Sequence, residues 1–500
     1  MKKLKTDSSI FGKSDKLILP KKQVNKLEKS RAESVEGRGL TKRNTHATAD
    51  GQTQGWKTIT SRLKSVREAA KKDKEVKFSS LLHHITIDLL KKSFYSLKRG
   101  SAAGVDGVSW TEYERVLKGN LEKLKEAIQS GKYKPKPARR IYIPKADGSE
   151  RPISIQSIED KVAQQAIVII LEQIYEMDFL GFSYGFRPGR GQHDALDALH
   201  VGIMRKKINW ILDLDIKKFF DTVEHAWLIR FLEHRIVDKR VLRLITQWIT
   251  VGYQDAKGRR HRATVGMPQG AVISPILSNI YLHYVYDLWL QQWRRRNCVG
   301  DMITARFADD SVSGFQNQRD AERFLSELKL RMAKFGLELH EGKTRIIEFG
   351  RFAKERRKEK GLGKPETFDF LGFTHYGGTT KKSGAFMVWR KTARKRLNAK
   401  IKEIRKELLR WRHKPIRETA RWLSSVMRGH MNYFSVPGNG ASVSKFLYEI
   451  KRAWYFALCR RSQRKRLNWM KFGKYLVPML PKFLVMHPYP NQRFYAKYSR

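Results

Sequence analysis

The sequence predicts an α+β fold, with helices and short antiparallel strands over most of the chain and a helical, strongly basic final quarter. Three observations carry that reading. Paired apolar runs flank turn residues at "RRIYIPKADGSERPISI" and "ITARFADDSVSGF", the pattern of two hairpins. Longer stretches with helical apolar spacing lie between and after them. In the basic quarter, Leu397, Ile401, Ile404, Leu408 and Trp411 fall at 4, 3, 4, 3 spacing and draw one helix stripe. With 500 residues, 41% hydrophobic and 12 Trp, the chain can bury a large core across roughly three or four domains.

From the N-terminus, residues 1–55 are polar and Lys-rich, and read as a basic, disordered tail. Apolar periodicity begins at Trp56, and residues 56–200 form the next unit. It holds a helix at "SSLLHHITIDLLKKSFYSL", two strands around an Asp147–Gly148 turn, a helix from Glu159 to Ile174, and the loop "GFSYGFRPGRG". Residues 201–378 open on "INWILDLDI", a buried strand. Helices follow around 223–249 and 275–295, then a hairpin from Ile303 to Phe315 that turns at Asp309 and Asp310. Residues 379–460 read as helical, and 461–500 as a basic segment suited to nucleic acid.

Charge narrows the function. The chain has 102 Lys+Arg against 49 Asp+Glu, a net of +53, and such a field attracts polyanions, nucleic acid above all. Ribosomal proteins share that bias but are usually much shorter, and no amphipathic membrane anchor is legible. No run approaches the ~18 apolar residues of a membrane span, and no secretory signal opens the sequence. Cys298 and Cys459 are too far apart for a metal knuckle, which points to reduced thiols in the cytoplasm. From Lys381 to Arg500, 31 Lys+Arg meet only 4 Glu and no Asp, so about half the net charge (+27) lies in a quarter of the chain.

Against that background, carboxylates inside apolar strands stand out. Asp213 and Asp215, two residues apart, share one strand face, and burying them is costly unless a cation compensates. Asp309 and Asp310 adjoin at a hairpin turn, where Asp also has a plain use bonding turn backbone. Together the two segments suit phosphoryl transfer to a nucleic acid end with two Mg²⁺ ions about 4 Å apart. Mg²⁺ takes a few carboxylates plus substrate phosphates. Between the segments, Gly266, Pro268 and Gly270 of "VGMPQGAVISPILSNIYL" make a tight path for close approach to a base pair or nucleotide, with Gln269 offering an amide.

In motif order and spacing, the chain from about residue 56 onward resembles the reverse transcriptase/maturases encoded by bacterial group II introns. The resemblance implies a right-hand polymerase: fingers and palm with an antiparallel sheet, then an α-helical thumb/maturase domain. It implies an RNA-directed DNA polymerase that binds its intron RNA, assists splicing, and uses two Mg²⁺ ions. "LDIKKFFD" puts a catalytic Asp at Asp215, with Ile216 beside it in the metal set. Asp213 is the competing assignment; Asp215 is preferred because Phe220, five residues on, matches the bulky position that crowds a ribose 2′-OH. The family's Tyr-Ala-Asp-Asp hairpin reads Phe307-Ala308-Asp309-Asp310 here, losing a hydroxyl. Asp309 becomes the second principal metal ligand and Asp310 an accessory catalytic carboxylate.

Other blocks follow the same resemblance. Lys145 and Arg151 of the first hairpin, Gln269, and Lys343 in "GLELHEGKT" join Phe220 as nucleotide-binding residues. A Pro that the family often has near Lys343 is absent. "FDFLGF", with Leu371–Gly372, matches the block that supports the primer end. The implied RNA contacts are Arg394, Lys395, Arg396, Arg412 and Arg428, among Trp and Tyr side chains able to stack on bases. The implied partners are group II intron RNA, a DNA target, cDNA and dNTPs, with no membrane, the protein acting as a monomer or homodimer in the cytoplasm and at the nucleoid. The endonuclease module of some relatives is expected to be missing. Three rivals remain: a reverse transcriptase domesticated for defence or spacer acquisition, a non-enzymatic RNA-binding splicing factor, and an RNA-dependent RNA polymerase. The maturase-like C-terminus, the intact carboxylates and Phe220 respectively argue against them.

Overall fold

In the computed structural model, which describes residues 53–144, 150–380, 383–461 and 467–498, an N-terminal helical block is followed by three sheets and a C-terminal helical bundle. The tail before Thr53, Lys145 and the Asp147–Gly148 turn lie outside the described residues. The N-terminal block contains α1 (Thr53–Lys72), α2 (Ile87–Ser96), α3 (Trp110–Arg115) and α4 (Leu117–Gln129). The helix expected through His83 and His84 is split. A 3-10 turn at Leu82–His84 ends first, and Thr86 then accepts from the Leu89 amide to start α2 afresh.

β1 (Ala138–Pro144) and β2 (Glu150–Ile155) form the first expected hairpin. Helix α5 (Ile158–Asp178) follows, capped by Ser157, whose side chain accepts from the Asp160 amide. Its Ile167, Ile170, Leu171 and Ile174 are wholly buried, and each such side chain contributes about 1.5–3 kcal/mol through burial. Next come α6 (Gln192–Arg205), β3 (Trp210–Asp215), α7 (Phe219–Thr222), α8 (His225–Glu233) and α9 (Lys239–Thr250). Short β4 (Tyr253–Gln254) joins β1 in parallel and pairs with β5 (Arg260–His261), completing a sheet ordered β2-β1-β4-β5.

The central sheet is antiparallel throughout. After α10 (Ser274–Leu282), a π-helical turn at His283–Asp287 and α11 (Leu288–Arg296), the chain lays down β6 (Met302–Phe307) and β7 (Asp310–Phe315). Helix α12 (Gln318–Ala333) and β8 (Arg345–Glu348) complete the order β6-β7-β3-β8. A short helix α13 (Ala353–Glu359) leads to a small sheet of β9 (Phe368–Phe370), β10 (Phe373–Thr379) and β11 (Phe386–Thr392).

The period of two along β3 sorts the packing. Leu212 and Leu214 face the large core with α5, α10 and α12, while Ile211, Asp213 and Asp215 face the other side. There Ile211 packs with Val312, Ile303, α6 and the small sheet. Carboxylates therefore sit at the end of an apolar face, where the covering layer stops.

The C-terminal bundle contains α14 (Arg394–Arg410), α15 (Ile416–Phe434) and α16 (Gly440–Cys459). The predicted stripe is correct for four of its members: Leu397, Ile401, Ile404 and Leu408 are buried against Leu423, Met427, Phe446 and Trp454. Trp411 instead caps α14, half-buried against Trp422 with ring centroids 5.0 Å apart. After α17 (Trp469–Tyr475), the chain returns through α18 (Pro490–Lys497) to dock on α6. There Arg493 pairs with Asp197 and Lys497 with Asp194, so these two cations of the basic tail segment face protein. Cys298 and Cys459 are free thiols, and no described helix is long and apolar enough to cross a membrane.

Candidate active site

Register brings the two acidic segments together. Asp215 at the end of β3 lies directly opposite Asp310 at the start of β7, and Asp213 lies opposite Val312 on the same face. The hairpin turn falls one residue earlier than expected. Ala308 and Asp309 make it, and Asp310 already belongs to β7, paired with Phe307. Ala308 has φ +59°, a left-handed conformation that costs a non-glycine residue about 1–2 kcal/mol.

Four half-buried carboxylates of like sign thus share one sheet end. Burial is the first cause that raises the Asp310 carboxyl to about 7, followed by repulsion from Asp213, Asp309 and Asp215, with Arg396 opposing. Burial likewise lifts Asp213 to about 6, with Arg345 opposing and Asp369 and Asp215 adding to it. Asp309 is raised by burial and by Asp215, against its own backbone, Arg151 and Arg306. A site whose acids resist ionisation is short of positive charge, which a divalent cation relieves. Among the described residues no group of three or more His, Cys, Asp or Glu is preassembled around a metal position. The donor set fits a hard cation of the Mg²⁺ kind, which completes its shell with water and substrate phosphates.

The other candidates surround this end. Lys343 donates to Asp215 Oδ2 at 2.6 Å, while the Asp215 carbonyl accepts from the His340 amide at 2.8 Å. The Ile216 side chain is buried and has no lone pair to offer, so its carbonyl is the atom that could meet a cation. Phe219 is core and Phe220 is half-buried, their rings edge to face with centroids 5.4 Å apart. Arg151 is exposed on β2 and lies within the field of Asp309.

The Gly-Pro turn after β5 docks on protein backbone. The Gln269 carbonyl accepts from the Ser154 amide at 2.7 Å, and Gly270 has φ +101°, with Ser154 O only 3.0 Å from where a Cβ would stand. That approach fixes the turn against β2 and leaves the Gln269 side chain half-buried. On the small sheet, Leu371 and Gly372 both have positive φ. The Leu371 carbonyl accepts from the Tyr433 hydroxyl at 2.7 Å.

The implied RNA contacts separate. Arg394, Lys395 and Arg396 crowd the first turn of α14, which has no acidic residue; cations there oppose the helix dipole, a local conflict of the sort that marks function. Only Arg396 is shown against Gly372 and in the field of Asp310. Arg412 is exposed beyond α14 and donates to the His413 ring at 3.0 Å. Arg428 lines a groove of about 740 Å³ on α15, with Arg417, Arg421, Ser425 and Asn432. None of its three arginines forms an ion pair among the described residues.

Sequence reasoning missed the support beneath the hairpin. Arg306, the residue before Phe307, is buried and bonded to Asp287, Asn279 and Ser183. A lone charge inside "ITARF" and another inside "NIYLHYVYDLWL" are the signals that could have found the pair. Beside it, Gly185 is obligatory: an added Cβ would stand 2.3 Å from the Ala308 nitrogen.

The profile of the family described as reverse transcriptase (RNA-dependent DNA polymerase) matches residues 143–375, which include all four carboxylates. The Escherichia coli K12 protein YkfC is 37% identical over 209 residues, 40% of this chain and 55% of its own. The group II intron-encoded protein LtrA of Lactococcus lactis is 33% identical over 205 residues, 41% of this chain and 34% of its own. Residues 143–375 thus carry a reverse transcriptase domain, in a chain similar over about two fifths of its length to a group II intron-encoded protein. A fission yeast protein encoded in the cob intron extends the likeness, at 26% identity, to 66% of this chain and 47% of its own. The chain thus spans between about a third and just over half of these relatives.

Proposed function

We propose that this chain is an RNA-directed DNA polymerase and maturase, which binds a group II intron RNA, assists its splicing and copies it into cDNA for intron mobility. The observation that carries the reading is the meeting of Asp215 with Asp309 and Asp310 at one open sheet end in a chain of net charge +53. Residues 56–200 act as an N-terminal extension and fingers, 201–378 as palm, 379–460 as thumb and maturase domain, and 461–500 as a further basic nucleic-acid-binding segment.

Asp215, Asp309 and the Ile216 carbonyl would hold Mg²⁺, which would supply charge neutralisation at the reacting phosphate and a more acidic primer hydroxyl. The chain's own residues place the reactants. Phe220 crowds the sugar edge and disfavours a 2′-OH. Arg151 and Lys145 donate to the triphosphate as charge-assisted hydrogen bonds, and Gln269 offers its amide to the nucleotide. The primer 3′-hydroxyl gives its proton to water as its oxygen attacks the α-phosphorus; a new P–O bond forms, the bond from the α-phosphorus to the α,β-bridging oxygen breaks, and pyrophosphate leaves with that electron pair. Lys343, already beside Asp215, meets the charge of that leaving group. Leu371–Gly372 and Arg396 support the primer end. Arg394, Lys395, Arg412 and the Arg428 groove hold RNA phosphates.

Extension of a primer on an RNA template with dNTPs and Mg²⁺, paired with a splicing assay on a group II intron RNA, tests this. RNA-dependent extension and faster splicing are expected. A protein that binds RNA and accelerates splicing but never extends a primer would leave the splicing-factor reading standing.

A further inference from the structure

We propose that Arg306 is a positioning residue, whose guanidinium, anchored by Asp287, holds Ala308 in its left-handed conformation and so aims Asp309 at Asp215. The claim rests on the active-site reading above and extends it to residues that touch no substrate. Arg306 is 1% exposed, and all five of its N–H groups have an acceptor. Nε donates to Asp287 Oδ1 at 2.7 Å, and Nη2 donates to Asp287 Oδ2 at 2.5 Å and to Ser183 Oγ at 2.7 Å. Nη1 donates to Asn279 Oδ1 at 3.1 Å and to the Ala308 carbonyl at 2.9 Å. The last bond is the informative one, because it reaches the residue whose φ is +59°.

The surroundings are built for that bond. Asp287 is wholly buried and sits on the π-helical turn between α10 and α11; such turns recur at functional sites. Asn279 uses its amide nitrogen on the Gly185 carbonyl at 2.7 Å. The loop containing Gly185 is tied to β6 by the Tyr184 amide on the Arg306 carbonyl at 2.8 Å and by the Arg306 amide on the Phe182 carbonyl at 2.9 Å. One guanidinium therefore joins the helical run of Asn279 and Asp287 and the loop at Ser183 to the back of the catalytic turn. A fold alone has little use for it, since a buried ion pair can often be replaced by apolar residues at no loss of stability. Lysine cannot substitute, having three donors and no fork.

The test uses the full chain, with R306K and with R306M/D287L, each in the Ala308 background and in A308G, where glycine adopts the left-handed region unaided. Thermal unfolding identifies variants that remain folded. We expect R306M/D287L to lose hydrogen-exchange protection across residues 307–311 while β3 keeps its own. Its kcat should fall about 100-fold with the dNTP KM within about threefold, the signature of misplacement rather than lost binding. Relative to A308G alone, the same pair of substitutions should cost only about tenfold. Unchanged exchange at the turn, or an equal loss in both backgrounds, would overturn the proposal. If the wild-type chain does not polymerise at all, the active-site reading fails, and the exchange measurement still decides the positioning of the turn.

Discussion

At the open end of the central sheet, four carboxylates of like sign are half-buried, three on paired strands and Asp309 in the hairpin turn. Along the C-terminal bundle, cations lie exposed over helix faces with few carboxylates to answer them. The first arrangement concentrates unfavourable charge on a few positions, and the proposed chemistry rests there on Asp215, Asp309 and Asp310. The second distributes favourable charge toward an external polyanion, so no single residue decides the affinity. The difference teaches that the two ends should fail differently when mutated, one in rate and the other in salt-dependent binding.

The largest expected effect is on rate. Asp215→Ala should lower primer extension by at least about a thousandfold, as loss of a catalytic group does, with RNA affinity unchanged or slightly improved. Asp213→Ala sharpens the assignment. Asp213 lies deeper, against Arg345 and Asp369, and its loss should spare most of the activity in steady-state kinetics. The reverse order would transfer the catalytic role to Asp213.

Next come the bundle cations. Replacing Arg417, Arg421 and Arg428 together with Ala should weaken RNA binding and lower the slope of log affinity against log salt by about 2 to 3, read from dissociation constants at several KCl concentrations. Replacing Arg394, Lys395 and Arg396 should lower the slope comparably, but these three divide. Arg396→Ala alone should also impair extension, because that side chain lies over Gly372 and near Asp310. Arg394→Ala with Lys395→Ala should leave extension on short templates nearly intact. The smallest effect belongs to Phe220→Ala, expected to raise ribonucleotide incorporation by about tenfold in single-nucleotide assays, within the 10–200-fold range of one pocket contact.

Much of this was legible because local pattern encoded it. The strand ending at Asp215, the Ile303–Phe315 hairpin and the Leu397–Leu408 stripe are written as periodicities of two and of 3.6, and each appears in the structure. What escaped is non-local. Nothing near Arg493 announces Asp197, nearly three hundred positions earlier; the lone charges of Arg306 and Asp287 are each visible in apolar runs, but no local pattern pairs them across 19 positions. The split at Thr86 was missed because the apolar pattern runs on through a residue whose hydroxyl caps a new helix. The glycines of the turn before α10 were legible as close-approach positions, but what they approach is the backbone of Ser154 and of Phe220 and Asp221.

The central claim is that chemistry resides at the sheet end and affinity in the bundle. The most direct measurement is a side-by-side assay of Asp309→Ala and the Arg417/Arg421/Arg428 triple variant, each scored for extension at saturating RNA and for RNA dissociation constant at fixed salt. The account predicts a crossed result. Asp309→Ala binds like the wild type and does not extend, whereas the triple variant binds weakly yet extends at close to the wild-type rate once saturated. Wild-type extension by Asp309→Ala, or parallel losses of both properties in both variants, would contradict it.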